Sequence, residues 1–149
     1  MPHNMKILVC TFSFPYFKKN ISDSRFVYSE VIAYAENNAE VIVLTPHFPG
    51  ADKIEYLHEK ITVIRFSYFF PNSLQKLRKP GVAMYDSHSL LALIQIPILC
   101  ISFLFNIIKH AKGVNIIHSQ WTPTALLALP AQTLLNKALV VTARGSDIR

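Results

Sequence analysis

The chain is short of glycine, of cysteine and, through its second half, of carboxylates, and each shortage removes a class of function. Only four of 149 residues are glycine, and none falls between Lys6 and Gly50. Dinucleotide-binding folds need glycine after the first strand so that backbone can approach a pyrophosphate, so an NAD-type fingerprint is excluded. There is no Walker lysine loop, no serine nucleophile elbow and no His or Cys cluster with zinc spacing, and no metal site is expected. The two cysteines, Cys10 and Cys100, lie in apolar runs, where buried free thiols and a reduced, cytoplasmic setting are expected. After Glu59 the only acids are Asp86 and Asp147, against ten Lys and Arg, so a paired-carboxylate glycosidase is disfavoured. The net charge of +6 calls for an anionic partner, yet no Arg-rich helix or RNA-binding aromatic signature is present, and nucleic acid is not expected. No small-residue cleavage site follows the apolar N-terminal patch, so a secretory signal is not read there.

What is present is a 51% hydrophobic chain of a length that buries one core, without repeats, low-complexity segments or a linker. "KILVCTF" from Lys6 to Phe12 and "EVIVLTP" from Glu40 read as strands buried on both faces. Between them, Phe26, Val27, Val31, Ile32 and Ala35 recur at helical spacing, with Glu30 and Glu36 off that face and Asn37 and Asn38 as the stop. A third strand is expected over Lys60 to Phe70, after the loop "HFPGADKIEYLHE". A fourth is expected over Asn115 to Trp121, a helix from Thr122 and Pro123 to about Leu135, and a fifth strand over "ALVVT". Strands alternating with helices predict an α/β fold: a Rossmann-like parallel sheet with helices on both faces. The connection from Pro71 to Gly81 is the candidate mobile loop.

Leu90 to Ile108 approaches the length of a bilayer span. Pro97 interrupts it, and His88, Gln95, Ser102, Asn106 and Lys109 fall on one stripe, so it reads as a helix packed on the sheet or lying in an interface, with a span as the lesser reading.

Open α/β sheets place ligands at the carboxyl ends of their strands. Those ends carry Ser13 to Tyr16, Thr45 to His47, His118 to Trp121, and Arg144 to Asp147. Each has a bland alternative: a hydrogen-bonded structural histidine at His118, a core aromatic at Trp121, and a helix cap at Asp147.

The segments "KILVCTFSFPYF", "RFVYSEVIAYAENNAEVIVLTP", "VIRFSYFFPNSLQKL" and "NIIHSQWTPTALLALPAQTLLNKALVVTARGSDI" resemble, in order and spacing, the N-terminal domain of the family 4 glycosyltransferases. These are retaining enzymes of the two-domain GT-B fold. The family commonly has "DIIHAHW" where this chain has "NIIHSQW", so Asn115 and Gln120 replace an Asp and a His, and the glycine pair frequent after the first strand is missing. The resemblance implies that residues 1–149 form the acceptor-side half, cut before the nucleotide-sugar domain and inactive alone. The implied substrates are a nucleotide-sugar, with no cofactor besides, and a glycan or lipid-linked acceptor. It places His118, Arg144 and Asp147 in the catalytic role, and Ser13, Phe14, Trp121, Gly145 and Ser146 against substrate. Arg65, Phe69, Phe70, Lys76, Arg78 and Lys79 would then face an anionic membrane surface, the alternative being a solvated loop packed on the next helix. A non-catalytic membrane- or protein-binding module and a decayed gene fragment are the competing readings.

Overall fold

The computed structural model describes residues 4–19, 24–77 and 90–143. In chain order the elements are β1 (Lys6–Cys10), α1 (Arg25–Glu36), β2 (Glu40–Pro46), β3 (Ile54–His58), β4 (Ile61–Phe66), α2 (Leu90–Ala111), β5 (Ile116–Gln120), α3 (Thr122–Leu135) and β6 (Ala138–Thr142). One six-stranded sheet has the order β3-β4-β2-β1-β5-β6, parallel except for β3, which pairs antiparallel with β4. The α/β expectation holds, with helices on both faces.

The reason is visible along β1. Ile7 and Val9 meet Val27, Val31 and Ala35 of α1, while Leu8 and Cys10 meet Leu99, Phe103 and Ile107 of α2 and Ala128 and Ala131 of α3. A strand covered on both sides has no use for polar alternation, so it reads as a continuous apolar run. Burial pushes the Cys10 thiol far up from its ordinary value, which leaves it an unreactive core group. Helix α1 stops at the two asparagines: Asn37 donates its side-chain amide to the Ala33 carbonyl, and Asn38 sits at φ 69°, a left-handed position that asparagine tolerates.

The expected third strand is shorter than read, and it gains a partner. β3 occupies what was expected to be loop, because its alternation is reversed. Ile54 and Tyr56 point outward and are exposed, while Glu55 points inward and is buried. That inversion is explained by Arg65 on β4, whose Nη2 lies 2.8 Å from Glu55 Oε2.

Helix α2 runs 22 residues through Pro97 and lies on the sheet, burying Ala92, Gln95, Leu99, Phe103, Ile107 and Ala111. By length and composition it is apolar enough to cross a membrane. Gln95, expected on a polar stripe, is buried, and it accepts from the Lys76 backbone N–H and donates to the Leu74 carbonyl, both at 2.8 Å. This fastens the segment after β4 onto α2.

Candidate functional site

The chain leaves β1 towards β2 and β4 on one side, then crosses to β5 and β6 on the other. The gap between the carboxyl ends of β1 and β5 is therefore the topological switch point, where open α/β sheets bind ligands. Cys10 pairs with Leu44 of β2 on one side and Ser119 of β5 on the other, so these three strand ends lie in a row. Along this row Ser13 Oγ, Thr45 Oγ1, Ser119 Oγ and Gln120 Oε1 are buried with no hydrogen-bond partner. A buried polar atom without a partner costs about 1–3 kcal/mol, so four on one edge mark a place built to bond something else. The turn itself is held by Thr11, whose hydroxyl donates to the Ser13 carbonyl at 2.8 Å and accepts from the Ser13 N–H at 3.3 Å.

On the α1 side a polar network backs the edge. Glu30 accepts from Tyr34 Oη at 3.0 Å and from Gln120 Nε2 at 2.7 Å. His118 lies between Tyr34 Oη at 3.0 Å from Nδ1 and Thr142 Oγ1 at 2.8 Å from Nε2, with Glu30 Oε1 3.8 Å away. One carboxylate thus fixes both the amide whose other end is unpartnered and the tyrosine that orients the histidine. Because Gln120 Nε2 donates to a carboxylate, Oε1 is the end left for a ligand donor.

Trp121 follows at φ 68° and ψ 151°, a region that residues other than glycine avoid at a cost of about 1–3 kcal/mol. Several contacts hold it there. Its N–H donates to the Thr142 carbonyl at 3.0 Å, and the Thr124 hydroxyl donates to its carbonyl at 2.9 Å and also bonds the Gln120 carbonyl. Its ring meets Phe26 edge-on, with centroids 5.7 Å apart. The strain sits where β5 becomes α3, beside the switch point.

Among solved structures the chain resembles two of sucrose-phosphate synthase from Thermosynechococcus elongatus, at 15% identity. One has a TM-score of 0.59 and covers 97% of this chain and 66% of that one; the other has 0.60 and covers 95% and 33%. The shared fold is a Rossmann-like α/β domain. The C-terminal domain of a Pyrococcus furiosus hydrogenase is also similar, with a TM-score of 0.56, 10% identity and coverage of 93% and 90%. No family model and no curated protein matches the chain. It spans less than two thirds of either synthase structure, and one architecture shared by a synthase and a hydrogenase domain leaves the function to be argued from the site.

Of the residues singled out from sequence, Ser13, Phe14, His118 and Trp121 do gather around the switch point. Ser13 and Phe14 are fully buried, Phe14 against Tyr28 of α1 at 6.3 Å, and His118 is 1% exposed behind the edge rather than open to it. Arg144, Gly145, Ser146 and Asp147 lie outside the described residues, as do Arg78 and Lys79. Phe70 and Lys76 are exposed and Phe69 is half-buried. Arg65 corrects the expectation of a membrane-facing residue: it is 1% exposed, paired with Glu55, donates from Nη2 to the Pro15 carbonyl at 3.0 Å and sits 4.8 Å over the Tyr16 ring. Sequence reasoning missed Glu30 and Tyr34 as parts of the site, whereas Thr45 lies at a strand end where ligand contacts were expected. The available signal was Glu30 and Tyr34 one turn apart, each beside a member of the Val27, Val31, Ala35 face.

The loop after β1 is also tied to the loop after β2 by Lys18 Nζ and Asp52 Oδ2, 2.5 Å apart. The hydrogen bond and charge of Lys18 hold the Asp52 carboxyl below the usual carboxylate range. A depressed carboxylate contributes stability that is present above its unfolded pKa and is lost as pH falls through its folded pKa. The expected NMR result is an Asp52 midpoint that moves upward in Lys18→Ala; an unchanged midpoint would deny the link.

Proposed function

We propose that the chain is the acceptor-side half of a retaining, family 4-like glycosyltransferase, which moves a sugar from a nucleotide-sugar to an acceptor hydroxyl and works only with a second, nucleotide-sugar domain. The observation that carries this reading is the row of unpartnered side-chain oxygens on Ser13, Thr45, Ser119 and Gln120 at the switch point. A polyhydroxylated ligand offers donors and acceptors at close spacing, which suits hydroxyls and an amide oxygen. Because all four residues are buried, the Thr11–Tyr16 turn must move aside for a ligand to reach them. The sucrose-phosphate synthase likeness supports the same class.

In this reading the acceptor oxygen bonds to the anomeric carbon on the face that the diphosphate leaves, and the acceptor proton passes to a departing phosphate oxygen. The chain's task is to hold the acceptor and the sugar in that geometry. Gln120 Oε1 takes a hydroxyl proton donor, Glu30 and Tyr34 hold Gln120 and His118 in place, and the family resemblance assigns Arg144 and the Gly145 amide to the donor phosphate or the acceptor. The setting is cytoplasmic, with a glycan or lipid-linked acceptor.

The test joins the chain to a nucleotide-sugar domain encoded beside it and assays a panel of nucleotide-sugars. Transfer is expected only from the joined protein. Gln120→Leu and Ser119→Ala should each lower it about tenfold, the loss of about one hydrogen bond in the transition state. Joined protein without transfer, or folded variants as active as the parent, would sink the assignment.

A further inference from the structure

We infer that the outer faces of α2 and α3 form a docking surface for an anionic lipid bilayer, on which the domain lies peripherally with both helices still packed on the sheet. The proposal stands independently of the sugar-transfer reading. The face of α2 turned away from the sheet is apolar: Leu93 is 53% exposed, Ile94 51%, Ile101 55% and Phe105 66%. On α3, which packs beside α2 on the same side of the sheet, Leu126 is 63% and Leu134 69% exposed. Exposed α2 residues recur from Leu90 to Phe105, a stripe about 22 Å long at 1.5 Å per residue. Two helices side by side present a broad face, unlike a groove cut for one peptide.

Charge chooses the occupant. From Leu90 to Ala143 the sequence contains no Asp or Glu, while it contains Lys109, Lys112 and Lys137. Both helices connect the carboxyl end of one strand to the amino end of the next, so their C-termini lie at the same edge of the sheet. Lys109 and Lys112 at the end of α2 and Lys137 just after α3 therefore make a basic rim to the apolar face. A second copy of this chain would bring a rim of the same sign against this one, and like charges across an interface repel. A border of one sign beside an apolar face is the pattern that anionic lipid headgroups and acyl chains satisfy together. The surface differs from the one expected from sequence, since Arg65 is buried.

The experiment is cosedimentation of the intact chain with vesicles of phosphatidylcholine alone and with phosphatidylglycerol added, at low and high salt, with light scattering of the free chain. Binding is expected to the anionic vesicles, weakened by salt. Lys109→Glu together with Lys112→Glu should lower it about fivefold per lysine or more. Ile101→Ser with Phe105→Ser should reduce it at least as far, and both residues are exposed enough for the fold to survive. Equal binding to neutral and anionic vesicles would overturn the electrostatic part. Absence of vesicle binding would overturn the whole, and a stable dimer without vesicle binding would assign the face to a second copy.

Discussion

Replacing Arg65 by alanine is expected to destabilise the chain by about 3–5 kcal/mol, because a buried ion pair that loses one partner leaves the other charge uncompensated. Arg65 is 1% exposed and Glu55 8%, so neither charge can turn to water without opening the β3–β4 edge. The guanidinium also donates to the Pro15 carbonyl and covers the Tyr16 ring, so its loss loosens the turn that closes the candidate site. Urea unfolding followed by circular dichroism measures the effect. The companion variant, Arg65→Leu with Glu55→Leu, should recover much of the loss, since an apolar pair of similar volume needs no compensation. A single variant as stable as the parent would mean that water already reaches the pair.

Phe103→Ala is expected to cost a similar amount, about 3–5 kcal/mol, for a different reason. Its ring is fully buried, edge-on to Phe12 at 5.4 Å and tilted against Phe66 at 4.8 Å, and so joins α2 to the residues at the ends of β1 and β4. Alanine leaves a cavity that three rigid neighbouring elements cannot close. Phe105→Ala, two residues further along the same helix, removes an equal side chain from a position 66% exposed and should stay within about 0.5 kcal/mol of the parent. Equal losses at the two positions would place α2 in a different rotation on the sheet.

Those two phenylalanines show what the sequence could and could not tell. An apolar run announces burial on both faces when it is five residues of strand, as in β1, and there the reading was sound. In α2 the same composition covers a buried and an exposed side, and periodicity has no contrast to work with when both are apolar. β3 failed for the opposite reason: its contrast is present but inverted, with Tyr56 outward and Glu55 inward, and only the long-range pairing with Arg65 accounts for it. Arg65 read as a surface residue because it lies in a basic, aromatic stretch, and nothing local signals a buried partner ten residues upstream. At the candidate site, the strand-end rule located Ser13, His118 and Trp121. Glu30 escaped because a carboxylate on a helix reads as solvated until the facing strand supplies Gln120.

Trp121 is the only tryptophan in the chain. Its intrinsic fluorescence is therefore a single-site optical signal from the junction of β5 and α3, with Phe26 against one edge of the indole. Any event that shifts α1 against β5, such as a ligand entering the edge, is written into that emission without a label.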